Sequence, residues 1–253
     1  MKKIIAIGGG EIGKPKKGGG FEPVETTKID KEIIRQANKT RPKLLFIPTA
    51  SSDSHGYFDV VKKHFSKLGC NVDVLYLLGE KYSKKELENK IFSSDIIYVG
   101  GGNTLKMMRV WRKFDLDKIL KKAHEKGIVL SGLSAGAICW FSKGCSDSKK
   151  FTSNSSELIK VTGLGLVDAL FCPHFDSEKH RQKALKEMMK KTPLVGLGFS
   201  DCCAIEIIDN KFRVLKSRRG ANAYKLYWKK DRYFCENIPS IEKFKDLREL
   251  VEK

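Results

Sequence analysis

Residues 128–138 read IVLSGLSAGAI, an apolar stretch that passes through Gly-Leu-Ser-Ala-Gly into a second apolar stretch. The pattern G-x-S-x-G between a strand and a helix is typical of a nucleophile elbow, in which the serine hydroxyl projects above the edge of a sheet. The start of the following helix would favour negative charge that develops there. The alternative interpretation is that Ser134 is only a small residue packed at a crowded strand–helix junction.

On the N-terminal side of this elbow, short apolar stretches alternate with amphipathic ones. We predict strands at 2–7, 43–48, 71–77, 95–99 and 127–131, and helices at 28–38, 57–68, 83–93, 104–113 and 115–125. Regular β-α alternation predicts a three-layer α/β fold with a mostly parallel sheet and helices on both faces. Catalytic residues in such sheets collect at the carboxyl ends of the strands.

The pattern is looser beyond the elbow. A helix is expected at 177–191 and strands at 195–199, 203–208, 211–216 and 224–228, whereas 14–25 and 143–156 are expected to be loops. No linker composition separates these parts. We therefore expect one α/β domain spanning 1–253, to which the portion from about residue 200 adds antiparallel strands.

The charge balance favours a solvated basic surface over a nucleic-acid site. Lys and Arg number 49 against 30 Asp and Glu, so the net charge is +19, but the cations come in scattered pairs rather than in runs. No nucleic-acid partner is expected, although the positive field would attract acidic substrates. No apolar run has the ~20 residues of a membrane helix, and no secretory signal is recognisable. Without an export signal we expect a protein of the cytoplasm, in which the seven cysteines stay reduced; they form no zinc-binding spacing either.

A nucleophilic serine needs a base and an acid that orients the base. Among the five histidines, His64 and His124 fall in predicted helices among lysines, where solvated surface roles are expected. His174 follows an apolar run that ends in Pro-His at the rim of the sheet, so it is either the base or a structural histidine. Spacing alone does not choose the acid; the candidates are Asp147, Asp176 and Asp201.

A second glycine-rich loop, Gly-Gly-Gly-Asn-Thr at 100–104, follows the strand predicted at 95–99. Its glycines allow the backbone to approach a substrate closely, and Asn103 is suited to cap the next helix. The backbone N–H groups of this loop and of Ala135 would face a developing oxyanion. A phosphate-binding loop is the rival interpretation, but the Gly-Lys-Ser/Thr and G-x-G-x-x-G patterns are both missing.

Taken together, the motifs at 100–104, 132–137 and 173–175 resemble the peptidase E (aspartyl dipeptidase) and cyanophycinase family of serine peptidases, over roughly 2–208. The resemblance implies a flavodoxin-like or class I glutamine-amidotransferase-like fold, hydrolysis of small peptides and no metal or other cofactor. It assigns Ser134 as the nucleophile and His174 as the base. Gly102 and Ala135 would supply the oxyanion N–H groups, with Asn103 in the same loop.

The resemblance leaves the acid and the specificity open. Asp201 is favoured as the third triad member, with Asp147 as the alternative. Arg181 matches the arginine that is associated with the substrate aspartate in peptidase E, or it is a solvated helix residue. Rival functions are a glutamine-amidotransferase-like protein, which would use Cys where Ser134 stands, and a basic protein without catalysis. A monomer or homodimer is expected, with no membrane partner.

Overall fold

Two sheets and nine helices make up the chain in a computed structural model that describes all 253 residues. The strands are β1 Lys3–Ile7, β2 Lys43–Ile47, β3 Asn71–Val74, β4 Ile96–Val99, β5 Val129–Leu133, β6 Phe141–Ser146, β7 Ile159–Thr162, β8 Val167–Cys172, β9 Gly196–Phe199, β10 Cys203–Ile208, β11 Lys211–Lys216, β12 Ala223–Lys229, β13 Arg232–Asn237 and β14 Lys245–Asp246. The helices are α1 Thr27–Gln36, α2 His55–Lys67, α3 Lys84–Phe92, α4 Thr104–Lys113, α5 Leu116–Glu125, α6 Ala135–Ile138, α7 Lys150–Ser153, α8 His180–Lys190 and α9 Arg248–Val251.

The larger sheet has the order β14-β11-β10-β1-β5-β4-β2-β3. Strands β1 to β5 pair with one another in the parallel direction, because a helix crosses over between successive strands. Strand β10 adds to the free side of β1 in the antiparallel direction, and β11 and β14 continue this edge. The predicted antiparallel addition near residue 200 thus extends the parallel sheet.

Apolar side chains alternate between the two faces of the sheet, as the two-residue period of a strand requires. Ile4 faces the side where α4 contributes the fully buried Trp111. Ile5 faces the opposite side, where α2 contributes Phe65. Both faces of the parallel strands are therefore covered by helices, which explains why the central strands β1, β2, β4 and β5 are largely apolar, whereas the edge strand β3 is not.

The smaller sheet has the order β13-β12-β9-β8-β6-β7 and lies beyond the elbow in the chain. Phe141, Phe171 and Phe199, from three adjacent strands, stack with ring centroids 4.5 and 5.3 Å apart. All three belong to the same apolar cluster as Ile4 of the larger sheet. The two sheets therefore share one core, although the single-domain assignment stays a prediction.

The expected loop at 143–156 is wrong, because most of β6 and all of α7 fall within it. The β6 sequence FSKGCS has no alternation of apolar and polar residues, yet its last three residues are buried. One partner distant in the chain and one local partner satisfy the Ser146 side chain, which is hydrogen-bonded to Thr104 and to Ser148. No helix combines the length and apolarity needed to cross a membrane.

Candidate active site

Ser134 lies at the sharp turn between β5 and α6, with φ 56° and ψ −110°. This backbone conformation is rare outside glycine and is the strained turn that a nucleophile elbow requires. The turn leaves no room for side chains at its flanks: a Cβ at Gly132 would lie 2.3 Å from Gly136 O, and one at Gly136 would lie 2.1 Å from Val99 O. Because α6 has only four residues, the site offers N–H groups rather than the field of a long helix.

The structure brings Ser134, His174 and Asp201 together in one hydrogen-bonded chain. Ser134 Oγ lies 2.8 Å from His174 Nε2, and His174 Nδ1 lies 2.6 Å from Asp201 Oδ1. His174 follows β8 and Asp201 follows β9, so neighbouring parallel strands deliver the two side chains to one edge. Both side chains remain about one-quarter exposed, at 23% and 24%, so the group is open to a substrate.

The environment keeps Asp201 ionised. Burial raises the pKa of its carboxyl, but the hydrogen bond and charge of His174 outweigh burial, so the pKa lies below its ordinary value. The other two candidate acids lie elsewhere. Asp147 Oδ2 is 3.7 Å from Arg181, and Asp176 is near the Tyr224 hydroxyl.

Three successive carbonyls at the end of β1 position the group, a feature that the sequence analysis missed. Ile7 O accepts from Ser134 N at 3.0 Å, and Gly8 O accepts from His174 N at 3.1 Å. Gly9 O accepts from the N–H of Cys202, next to Asp201, at 2.9 Å. A Cβ on Gly9 would lie 1.9 Å from Asp201 Oδ1 and 2.5 Å from His174 Cε1. The run Gly-Gly-Gly at 8–10 was the available signal, since close backbone approach selects glycine.

The backbone N–H of Ala135, the residue after Ser134, and that of Gly102, in the loop after β4, have no acceptor among the loop and helix-cap hydrogen bonds of the chain. Gly101 packs against Ser134, because a Cβ there would lie 3.5 Å from the Ser134 Cβ. The Gly101 N–H donates to the hydroxyl of Tyr57 at 3.2 Å, which holds the loop in place. Asn103 caps α4, as expected, by accepting from Lys106 N.

Burial raises the pKa of Tyr57 to about 12, so its hydroxyl stays protonated and keeps its contact with the loop. Sequence reasoning missed Tyr57, because its contact joins α2 to a loop 44 residues later in the chain. Nothing in the local pattern around residue 57 indicates this role.

Arg181 is 1% exposed, so the solvated alternative is wrong. Its Nε donates to Glu178 at 2.5 Å, one terminal nitrogen donates to Cys145 O at 3.3 Å, and the other lies 3.7 Å from Asp147. These contacts use three of the five N–H donors of the guanidinium, and its burial leaves little access for a substrate carboxylate. The assignment of Arg181 to substrate binding stays a prediction.

The surface roles expected for His64 and His124 are also wrong, because both residues are largely buried. His64 Nε2 lies 2.7 Å from the fully buried Asp30. Burial lowers the pKa of His124 to about 4, so it is neutral at pH 7. The lysines around both residues in the sequence gave no sign of these tertiary environments. No group of three or more His, Cys, Asp or Glu side chains is arranged to hold a metal ion.

The chain is similar to several known proteins. The model of peptidase family S51 matches residues 17–215. The uncharacterized peptidase YgaJ of Bacillus subtilis is 37% identical over 228 residues, which cover 89% of this chain and 92% of that protein. A Drosophila melanogaster protein named "Probable alpha-aspartyl dipeptidase" is 26% identical over 207 residues, covering 77% and 80% of the two chains.

Among solved structures, that of a peptidase from an acI-B1 actinobacterium superimposes with a TM-score of 0.70. The alignment covers 97% of each chain at 16% identity, so the likeness is one of fold. It confirms the predicted α/β class with helices on both faces of a mostly parallel sheet.

Proposed function

Because the chain belongs to peptidase family S51 and is a serine-type peptidase, we propose that it hydrolyses small peptides through a triad of Ser134, His174 and Asp201. The observation that carries this proposal is the continuous chain of contacts, 2.8 Å from Ser134 to His174 and 2.6 Å from His174 to Asp201. Both distances are within the range over which protons are transferred.

In the proposed reaction, Ser134 Oγ attacks the carbonyl carbon of the scissile peptide bond while its proton passes to His174 Nε2. His174 then donates this proton to the nitrogen of the leaving amine, and the C–N bond breaks. A water molecule then gives a proton to His174 Nε2 and attacks the acyl carbon; the ester bond to Ser134 Oγ breaks, the acid product leaves, and His174 returns the proton to Ser134 Oγ. Asp201 accepts from His174 Nδ1–H throughout, which fixes the tautomer and stabilises the imidazolium.

The negative charge that develops on the carbonyl oxygen needs donors that are already in place. The unpaired N–H groups of Gly102 and Ala135 serve this role in our proposal. Because the contact with Tyr57 and the tight packing of the elbow hold both groups, little reorganisation accompanies the reaction.

The narrower part of the proposal is that Asp-X dipeptides are substrates. It is supported by the name of the Drosophila relative and by the net charge of +19, which attracts acidic peptides. A cytoplasmic location belongs to the same proposal, supported by seven unpaired cysteines, six of which are buried.

The test is hydrolysis of a panel of four dipeptides, Asp-Leu, Asn-Leu, Glu-Leu and Ala-Leu. Hydrolysis is measured as the amount of free leucine released. We expect Asp-Leu to be cleaved, and Ser134→Ala to reduce the rate at least ~10³-fold, because the nucleophile is lost. Ser142→Ala, which changes a serine outside the site, is the control and should match wild type. Equal cleavage of all four peptides would refute the Asp-X preference, and cleavage of none by wild type would leave a non-catalytic binding protein as the better account.

A further inference from the structure

A cavity of about 690 Å³ opens directly beside the proposed oxyanion loop. It lies between the turn that follows β2, the first turns of α4, and α7. Gly102 and Asn103 line it on one side. Gly102 lines the cavity, and its neighbour Gly101 packs against Ser134, so the loop at 100–104 lies between the cavity and the nucleophile.

Two cations line this cavity, and neither has a carboxylate partner. Lys106 and Arg109 are three residues apart on α4, so they lie on the same side of the helix. Lys106 Nζ donates to the Ser52 hydroxyl at 2.8 Å, and neither side chain forms an ion pair within the chain. By contrast, the guanidinium of Arg181 is already engaged with Glu178, Cys145 and Asp147.

A nearby acidic group does not compensate these charges. The Asp53 carboxylate accepts from the backbone N–H groups of Leu77 and Leu78 at 2.5 and 2.6 Å. It is 9% exposed and does not line the cavity. Positive charge in a concave site acts more strongly on an anion than the same charge on an open surface.

We propose that this cavity is a carboxylate subsite of the peptidase, in which Lys106 and Arg109 bind a carboxylate of the peptide while its scissile bond lies at Ser134. The inference rests on the proposed function and deepens it, because it assigns recognition of an acidic peptide to α4 rather than to Arg181. Phe151, which is 56% exposed at the rim, provides an apolar surface for the remainder of the peptide.

A dipeptide such as Asp-Leu has two carboxylates that fit this chemistry, the aspartate side chain and the C-terminus. Replacing one of them at a time separates the two sources. Asn-Leu lacks only the acidic side chain, and Asp-Leu amide lacks only the C-terminal charge. If Asn-Leu binds more weakly than Asp-Leu, the cavity holds the aspartate side chain. If Asp-Leu amide binds more weakly than Asp-Leu, the cavity holds the C-terminal carboxylate.

The experiment is calorimetric titration of these three peptides into Ser134→Ala protein, which binds substrate without consuming it. Lys106→Gln and Arg109→Gln are added to this background, each expected to weaken Asp-Leu about tenfold, since a charge-assisted hydrogen bond is lost. Lys113→Gln is the matched control: it removes one cation from the same helix outside the cavity, and the affinity should not change.

Equal affinity of the Lys106→Gln, Arg109→Gln and Lys113→Gln proteins for Asp-Leu would overturn the proposal. Failure of the Ser134→Ala protein to bind Asp-Leu at all would also overturn it. If binding depends on Lys106 and Arg109 but protein with Ser134 intact does not hydrolyse Asp-Leu, the proposed function fails while the subsite stands. The binding and hydrolysis measurements thus separate the two failures.

Discussion

Ser134 and His174, on the two sides of the 2.8 Å contact, both have positive φ angles, 56° and 53°. Such conformations cost roughly 1–3 kcal/mol each in residues other than glycine. They persist because the surrounding structure over-determines them, here through hydrogen bonds to Ile7 O and Gly8 O at the end of β1. Ser134 and His174 are thus among the eleven residues other than glycine with positive φ, and both take part in the proposed reaction.

The choice of Asp201 as the third residue of the proposed triad can be tested by substitution. Asp201→Asn is expected to lower kcat about a thousandfold or more, because an asparagine would no longer stabilise the correct tautomer or the imidazolium. Asp147→Asn should retain nearly all activity, since Asp147 contacts Arg181 and not His174. The check is steady-state kinetics on Asp-Leu, with the melting temperature of each variant measured beside it. Comparable losses in both variants would contradict the assignment of Asp201.

The residues of the site differ in how far the sequence could predict them. Ser134 stands in a five-residue pattern, and His174 follows a Pro at the end of an apolar run, so local signals sufficed to nominate both. Choosing Asp201 over Asp147 required the spatial order of β8 and β9, which local spacing does not contain. Gly9 and Tyr57 act through close approach and a long-range contact, and therefore left only weak signals.

At the scale of elements, the first five strands and helices were predicted to within a few residues, because their apolar patterns are regular. Ser83 and Glu86 form a capping box at the start of α3. Strand β6 was missed because its polar side chains have no strand-like period. Its stability comes instead from the neighbours β7 and β8 and from Thr104 of α4, all of them tertiary contacts.

Helix α4 is predicted by its local sequence and also supports the cavity through its packing. The predicted bounds 104–113 match the helix, and Asn103 provides its cap. Its buried side chains, including Trp111, fasten it to the core, while Lys106 and Arg109 line the cavity. A rigid, well-packed helix is a suitable support for a subsite, because the positions of its side chains are fixed by packing.

At the scale of the whole molecule, the sequence indicated the α/β class but not the second sheet. Strands β6, β7 and β13 include polar or short segments that resemble loops when read alone, and only the apolar run of β8 stands out. They become a sheet because their apolar members, such as Phe171, complete the core shared with the larger sheet. The site lies where both sheets contribute, with Ser134 after β5 and His174 after β8.

A buried cluster that joins β10, β11 and α1 affects the stability of the whole fold. Glu206 is fully buried, and its side chain pairs with Arg213 at 2.5 Å. Burial and the neighbouring Glu32 raise the pKa of Glu206 from 4.5 to about 7. For Glu32, burial raises the pKa, but the hydrogen bonds from Arg35 and Gln36 outweigh burial and leave it below its ordinary value.

We therefore expect Glu206 to lower the free energy of unfolding as pH rises from about 4.5 to about 7, whereas the neutral His124 raises it between about 4 and 6.5, so the effect of Glu206 is read as a difference between variants. In this window the unfolded chain ionises Glu206 while the folded protein keeps it protonated, so a proton is bound only in the folded state. Glu206→Gln should remove this part of the pH dependence, so its stability relative to wild type should rise with pH. Urea unfolding at pH 5, 6, 7 and 8 measures the difference.

The exposed Glu187→Gln variant is the control for that measurement and should follow the wild-type pH dependence, because Glu187 forms only a surface pair with Lys190. Parallel pH profiles for wild type and Glu206→Gln would show that the buried carboxyl does not titrate in this window, and would contradict the prediction.

The central claim is that Ser134 and His174 act as one catalytic unit. Its most direct test is kcat/KM for Asp-Leu, measured for wild type, Ser134→Ala, His174→Ala and the double variant. Because each single change disables the same step, we predict that all three variants share the same residual rate, at least ~10³-fold below wild type. The claim is contradicted if the double variant loses activity by the product of the two single losses. It is also contradicted if Ser134→Ala retains activity.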